Sequence, residues 1–554
     1  MFDRSLIDEF FPFDEFRDGQ RGCLEFILDS FESGKRCVII EAPTGSGKSA
    51  IGLGISRFFN SVYYLTIQKV LQSQIINDFG DSGRIVDLKG RATYPCTFYD
   101  RYDVKSVSPA DLARIKDEGV DCNHGFCRKK QKRYKIPQCF PSWAAGGFGS
   151  LSTLPKGMEY SACPYYEQVF KAINAHTCLM NFSSFLYQTH MSHRFGPREL
   201  LIIDEAHQLE PQLLNFISIT LNDKRLQRYG IKLEEYQTPE EYWIFFQETD
   251  IITKILMLIE DAKDMEDVKG QDEYLSLAKK LRTFIHCMER EEEWIAEYEK
   301  GKDYNTVKLK PVFVHTKSYP YVLDYGNRCL MMSATILDVG VFCGSLGIAK
   351  SDIAAFRMKN RFPISNRPIY IRSAGNLAGG KKKMPEWGPR LLDKVDEVIA
   401  EHPDDRGIIH THNFAIADLL VGKSVHRDRF LFQNNFSSKE QMLKVHGMTP
   451  GSIIVAPAMH EGLDLIGDLS RFQIICKLPW ANFFDDKQLA RRVELDTRFY
   501  VWLCALKLCQ SMGRSVRSED DYANTYVMDG GFMNFLNRAG SMIPSWIRDA
   551  VQVE

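Results

Sequence analysis

"KRCVIIEAPTGSGKSAIGLGISRFF", Lys35 to Phe59, decides the fold. It opens as a short β-branched run, turns through glycines, and continues with helical spacing, so it reads as strand, loop, helix. Its centre, "APTGSGKS" from Ala42 to Ser49, fits the phosphate-loop pattern except at the first position, where Ala42 replaces glycine. Gly45 and Gly47 let the backbone N–H groups of the loop, with Thr44 and Ser46 among them, close around phosphate oxygens. Lys48 reaches the terminal phosphates, the Ser49 hydroxyl suits Mg²⁺, and the helix that starts here adds its positive dipole end. The stretch therefore predicts a site for ATP or GTP.

The same alternation recurs outward from this unit. "SVYYLTIQKVLQSQI" repeats strand then helix, and "LLIIDEAHQLE" is a buried strand ending in acids. "RGIIHTHNFAIADLL", "GSIIVAPAMHEG" and "RFQIICKLPW" form a second series. The pattern predicts an α/β fold with two units, each a parallel sheet covered by helices on both faces. Two segments interrupt the first unit. Residues 91–164 carry Cys, Gly, Pro and basic residues with weak periodicity. Residues 211–310 read as a helical insertion, with Ala278, Leu281, Ile285 and Met288 at helical spacing. The expected division is 1–90, 165–210 and 311–340 for the first unit and 341–554 for the second.

Bulk properties are those of an ordinary globular chain: 554 residues, 44% hydrophobic, 26% charged. The N-terminal residues are broken by acids, which argues against a secretory leader, and no apolar run of about eighteen residues predicts a membrane span. The expected setting is the cytoplasm or nucleoid. A net charge of −2 means that any nucleic-acid surface must be local. The 14 cysteines are expected to stay reduced. Five of them fall between Cys96 and Cys163; the other nine are scattered, often inside apolar runs, and read as core.

"IIDEAH", Ile202 to His207, supplies an acidic partner for the phosphate loop. Asp204 at a strand end suits the Mg²⁺ shell, and Glu205 beside it suits polarising an attacking water. Asp-Glu-Ala-His after a strand resembles the signature of the DEAH-type superfamily 2 helicases, and the likeness extends along nearly the whole chain. "MMSATI" carries Ser333-Ala334-Thr335, "HEGLDLIG" carries Glu461, Gly462 and Asp464, and "QSMGRSVR" carries Gln510, Gly513, Arg514 and Arg517. In that family the two arginines reach from the second motor domain to the γ-phosphate, where a guanidinium neutralises developing charge, worth roughly 10³–10⁵ in rate. The resemblance also implies that His207 and Gln510 couple nucleotide state to domain closure. "FRDGQ" resembles the adenine-reading stretch, with Arg17 and Gln20, and Asp464 belongs to the nucleotide site. "YLTIQKVLQSQ" and "CLMNFSSFLYQ" resemble strand-gripping segments through Thr66, Gln74 and Asn181, although their apolar residues also pack a core.

The flanks "GRATYPC", ending at Cys96, and "SACPYYEQ", containing Cys163, resemble the iron–sulfur helicases, the group containing XPD and DinG. That group inserts a four-cysteine domain before the acidic motif and a helical arch after it. The expected fold is thus two RecA-like motor domains with an Fe–S insertion at 91–164 and an arch at 211–310. Four thiolates hold a [4Fe–4S] cluster. This chain offers Cys96, Cys122, Cys127, Cys139 and Cys163, and spacing leaves the spare one open. A Cys₄ site also suits structural zinc. "RKKQKRYK", Arg128 to Lys135, sets six basic residues among Phe126, Tyr134, Phe140 and Trp143. Basic charge interleaved with aromatics suits single-strand binding.

The expectation is a monomeric ATP-dependent DNA helicase using ATP, Mg²⁺ and a [4Fe–4S] cluster, acting on single-stranded and forked DNA. The resemblance implies 5′→3′ movement. The alternatives are a translocase that remodels DNA without separating strands, and a metal-organised DNA-binding scaffold with a vestigial ATP site. A small-molecule kinase would not need the second α/β unit or "QSMGRSVR".

Overall fold

Cys37–Glu41 is buried at every position, as expected of a strand covered on both faces. In the computed structural model it is β1, near one edge of a parallel sheet. The model describes residues 1–67, 69–80, 83–95, 122, 164–224, 226–265, 268–377, 380–457, 465–516 and 518–552. The further strands in the first half are β2 (Val62–Thr66), β3 (Ile85–Leu88), β4 (Thr177–Asn181), β5 (Arg198–Asp204), β6 (Ile219–Asn222), β7 (Trp294–Lys300) and β8 (Asn305–Pro311). β9 (Gly326–Ser333), β10 (Ile353–Arg357) and β11 (Ile369–Ile371) follow. The remainder are β12 (Gly407–His410), β13 (Phe430–Phe432), β14 (Ile453–Ala456), β15 (Phe472–Ile475), β16 (Asn524–Val527) and β17 (Val551–Gln552).

Two seven-stranded sheets result, ordered β10-β1-β9-β5-β2-β4-β3 and β13-β14-β12-β15-β16-β11-β17. Among the described residues, the strand pairings within them are parallel. The expected α/β class with two parallel sheets is what the chain adopts. One boundary differs. Ile353–Arg357 lies beyond the expected break at 340, yet pairs with β1 in the first sheet. As a half-exposed edge strand it lacks the apolar run that marks the central ones.

The segment between β5 and β9 is also not purely helical. Helices Pro239–Glu248, Ile251–Asp264 and Val268–Glu289 are present, and Ala278, Leu281 and Met288 are buried as their spacing requires. Beside them β6, β8 and β7 form a three-stranded antiparallel sheet, in that order. β8 alternates buried and half-buried residues along its whole length, with Val307 and Leu309 inward. Lys308 and Lys310 on its other face meet Glu299 and Glu297 of β7 at 2.5 and 2.9 Å. That alternation is the signal of a half-buried strand, but charge-rich flanks mask it.

One apolar core runs from one face of the first sheet through this insertion to helix Thr497–Met512. Another fills the opposite face under helices Gln20–Glu32 and Lys48–Ser56. Helix Thr497–Met512 is buried around much of its circumference because it lies between the two sheets. Among the described residues, no helix is long and apolar enough to cross a membrane.

Candidate nucleotide site

Three parallel strands end level with one another. Glu41 of β1 is register partner of Ser333 of β9, and Asp204 of β5 is register partner of Met332. The phosphate loop, the acidic motif and Ser333-Ala334-Thr335 therefore leave the sheet at one rim, the carboxyl end where ligands of open α/β sheets bind. There a cleft of about 1880 Å³ is lined by Lys48, Ser49, Asp204, Glu205, His207, Ala334, Thr335, Gln510 and Arg514.

The loop is shaped by backbone conformation. Gly45 and Gly47 have φ of +81° and +79°, where a side chain would be strained. A Cβ at Gly47 would also stand 2.3 Å from the Gln20 amide nitrogen. Gln20 is buried and braces the loop: its Nε2 donates to the Ser46 carbonyl at 2.8 Å, and its Oε1 accepts from the Arg17 N–H at 2.8 Å. Arg17 donates to the Gly45 carbonyl at 2.5 Å. Both residues expected to read adenine thus hold the phosphate loop. Arg17, Gln20, Thr44, Gly45, Gly47, Lys48 and Ser49 all line the cleft.

Asp204 is buried, and its carboxyl is pushed up to about 6, first by burial and then by Glu205, with Lys48 opposing. An acidic pair held in low dielectric favours a cation beside it. Glu205 has φ of +51°, a region that a β-carbon disfavours by about 1–2 kcal/mol. Its N–H donates to Asp204 Oδ1 at 3.0 Å, and its carbonyl accepts from the Gln208 N–H at 2.9 Å. These bonds hold the kink that turns the carboxylate into the cleft.

His207 joins the two sheets. Gln510 Nε2 donates to His207 Nε2 at 2.7 Å, which assigns the ring proton to Nδ1. Nδ1 then donates to Ser333 Oγ at 2.8 Å, and the Thr335 N–H donates to that same oxygen at 3.0 Å. Acidic motif, Ser-Ala-Thr motif and Gln510 thereby form one buried chain of hydrogen bonds. Arg514 follows one turn later, its Nε donating to the Gln510 carbonyl at 3.1 Å.

Other expected residues sit elsewhere. Thr66 and Asn181 are buried register partners at the ends of β2 and β4. Asn181 Oδ1 accepts from the Ser184 N–H at 2.8 Å, capping a helix, so neither side chain is presented as a strand grip. Gln74 lines the cleft. Arg517, Glu461, Gly462 and Asp464 lie outside the described residues, as do Cys96, Cys127, Cys139 and Cys163. Cys122 is described and buried; its N–H donates to the Tyr94 carbonyl at 2.9 Å, two positions before Cys96 in the chain. Among the described residues, no group of three or more His, Cys, Asp or Glu side chains is arranged to hold a metal.

Sequence reasoning passed over several contributors. Buried Glu41, directly before Ala42, accepts from Arg357 Nε at 2.7 Å and from the Leu337 N–H at 3.3 Å. Burial raises its carboxyl, while Arg357 opposes. This ties the phosphate loop to the segment after Thr335. Trp502 Nε1 donates to the Ile336 carbonyl at 2.8 Å from the helix that carries Gln510. An acid next to the loop was the available signal for Glu41; Trp502 had none.

Comparisons with known proteins agree with this geometry. The helicase C-terminal domain family matches residues 403–550. A probable ATP-dependent helicase of Methanocaldococcus jannaschii is 22% identical, the alignment covering 97% of this chain and 94% of the relative. The ATP-dependent DNA helicase CHL1 of Vanderwaltozyma polyspora is 20% identical over 55% of this chain and 40% of its own length. Among solved structures, one titled XPD_Helicase superposes with a TM-score of 0.63 at 12% identity, covering 98% of this chain and all of that one. Xpd4 of S. tokodaii gives a TM-score of 0.54 at 13% identity, covering 97% and 100%. With Lys48, Asp204 and Gln510 gathered in one cleft between two parallel sheets, the chain is similar in sequence to ATP-dependent helicases and shares the fold of the XPD structures.

Proposed function

We propose that this chain is an ATP-dependent DNA helicase that moves along single-stranded DNA, 5′→3′, and separates duplex strands. The observation that carries the reading is the buried chain Gln510–His207–Ser333, which makes the arrangement of the acidic motif depend on where the second sheet stands. Lys48 would bind the terminal phosphates, and Ser49 and Asp204 would hold Mg²⁺, which supplies charge neutralisation at the phosphates when bound. Glu205 would orient and polarise the attacking water. Arg514, with Arg517 and Asp464, would complete the site from the second unit. Because Gln510 senses His207 directly, loss of the γ-phosphate would alter the grip between the units, and that change would drive translocation.

The basic and aromatic run from Arg128 to Trp143 would act on the separating strand, on a domain folded around four of the five clustered thiols. Metal ligation suits a segment with little periodic apolar sequence, and a [4Fe–4S] cluster is the group that the family supplies. Cys122, packed against Tyr94 and Pro95, is a described thiol compatible with that role. Both halves of the ATP site lie in one chain, which supports action as a monomer. The setting would be the cytoplasm or nucleoid.

The test is DNA-stimulated ATPase and forked-duplex unwinding in parallel. The expected result is that both occur and both vanish in Lys48→Ala. ATPase and translocation without unwinding would favour a remodelling translocase; absence of ATPase would favour the scaffold. A brown protein absorbing near ~400 nm would mark the cluster, and a colourless protein containing zinc would replace it.

A further inference from the structure

Tyr64 lies within β2, fully buried, as register partner of Ile202 on β5. Alternation along β5 puts Ile202 and Asp204 on one face of the sheet. Tyr64, Leu200 and Ile202 share the core beneath helix Lys48–Ser56. The ring presses on that helix at Gly52. A Cβ there would stand 3.1 Å from Tyr64 Cε2, 3.4 Å from its hydroxyl and 2.8 Å from Met332 Cε. Tyr64 thus occupies the space that a side chain at position 52 would fill, one turn beyond Lys48 and Ser49.

The hydroxyl faces the Ser49 side chain and the Asp204 carboxylate, and burial together with that carboxylate holds its proton well above the ordinary tyrosine range. Yet no protein group meets it at hydrogen-bond geometry. Phenylalanine would pack this core without stranding a polar atom. The hydroxyl therefore lies within reach of Ser49 and Asp204 as an O–H donor that makes no geometric hydrogen bond in this arrangement.

We propose that Tyr64 is a positioning residue for the Mg²⁺ site: its O–H donates to the Asp204 carboxylate and holds it facing Ser49. The inference rests on the nucleotide-site reading above. Tyr64→Phe removes only the hydroxyl, so the variant keeps its fold. ADP binding is measured by titration calorimetry on the full chain, across a Mg²⁺ series and in EDTA. The expected result is unchanged ADP affinity in EDTA and a rise of about tenfold in the Mg²⁺ needed for tight binding, as for other residues that orient metal ligands. A parent-like Mg²⁺ requirement overturns the inference, and so does an equal loss of affinity in EDTA, which would mark a general structural role. A parent protein that binds no ADP under any condition overturns the nucleotide-site reading itself.

Discussion

His207 contributes a ring with one nitrogen toward Gln510 and the other toward Ser333, so it senses the two together. Gln510→Ala is expected to leave nucleotide binding intact and to lower DNA stimulation of ATPase at least tenfold, roughly the 1.4 kcal/mol of one hydrogen bond. Equal stimulation in variant and parent would break the proposed coupling. Asp204 gives the pH dependence its sign. Its carboxyl is raised to about 6, so it is ionised above that pH and protonated below it. Mg²⁺ needs the ionised form; Mg²⁺–ADP affinity should therefore hold from pH 8 to about 7 and fall as pH drops below about 6. Calorimetry in buffers of different ionisation enthalpy should show proton release on binding near pH 6. Proton uptake would contradict the assignment.

At the scale of elements, the insertion after the acidic motif shows how much one stripe can support. Leu281 and Phe284 are fully buried on helix Val268–Glu289, with the Phe284 ring 5.1 Å from Trp294 of β7. The helix is thereby fastened to the small antiparallel sheet as well as to its neighbouring helix. Leu281→Ala should cost about 2–5 kcal/mol in chemical denaturation, as for other fully buried leucines. A loss under about 1 kcal/mol would mean that this region is not packed as a core. Its β-hairpin was legible in "NTVKLK" by alternation, yet four lysine and glutamate positions at its outer face read as helix surface when taken with the charge-rich sequence before it.

Across the whole molecule, the segment Lys487–Met512 stitches the second sheet to everything before it. Gln488 donates to the Val312 carbonyl at 3.0 Å, Arg491 meets Glu293 at 2.7 Å, and Arg498 meets Asp338 at 2.7 Å. Arg492 is buried between the rings of Phe313 and Phe499, with Glu210 at 3.5 Å. Glu210 follows the acidic motif by a few residues and is itself raised by burial, with Arg492 opposing. Arg492→Ala would strand that carboxylate, at a cost of about 3–5 kcal/mol for a broken buried pair. The loss should be large at pH 8 and smaller at pH 5, where Glu210 can protonate. Equal loss at both would show that ring packing, not charge, dominates the contact.

What the amino-acid order determined by itself was local: buried strands, a glycine-rich loop, an acidic strand end and the motif that carries Gln510 and Arg514. Each depends on neighbours in the chain, through dihedral limits and apolar spacing, and each is found where it was expected. What only tertiary structure decided was which distant groups meet. Gln20 braces Ser46, Glu41 reaches Arg357, Tyr64 lies under Gly52 beside Asp204, and His207 finds Gln510 some three hundred residues away. Such contacts are settled by sheet register and by the packing of one unit on the other. Neither leaves a period in the sequence, because a contact across two sheets is a property of how whole layers stack.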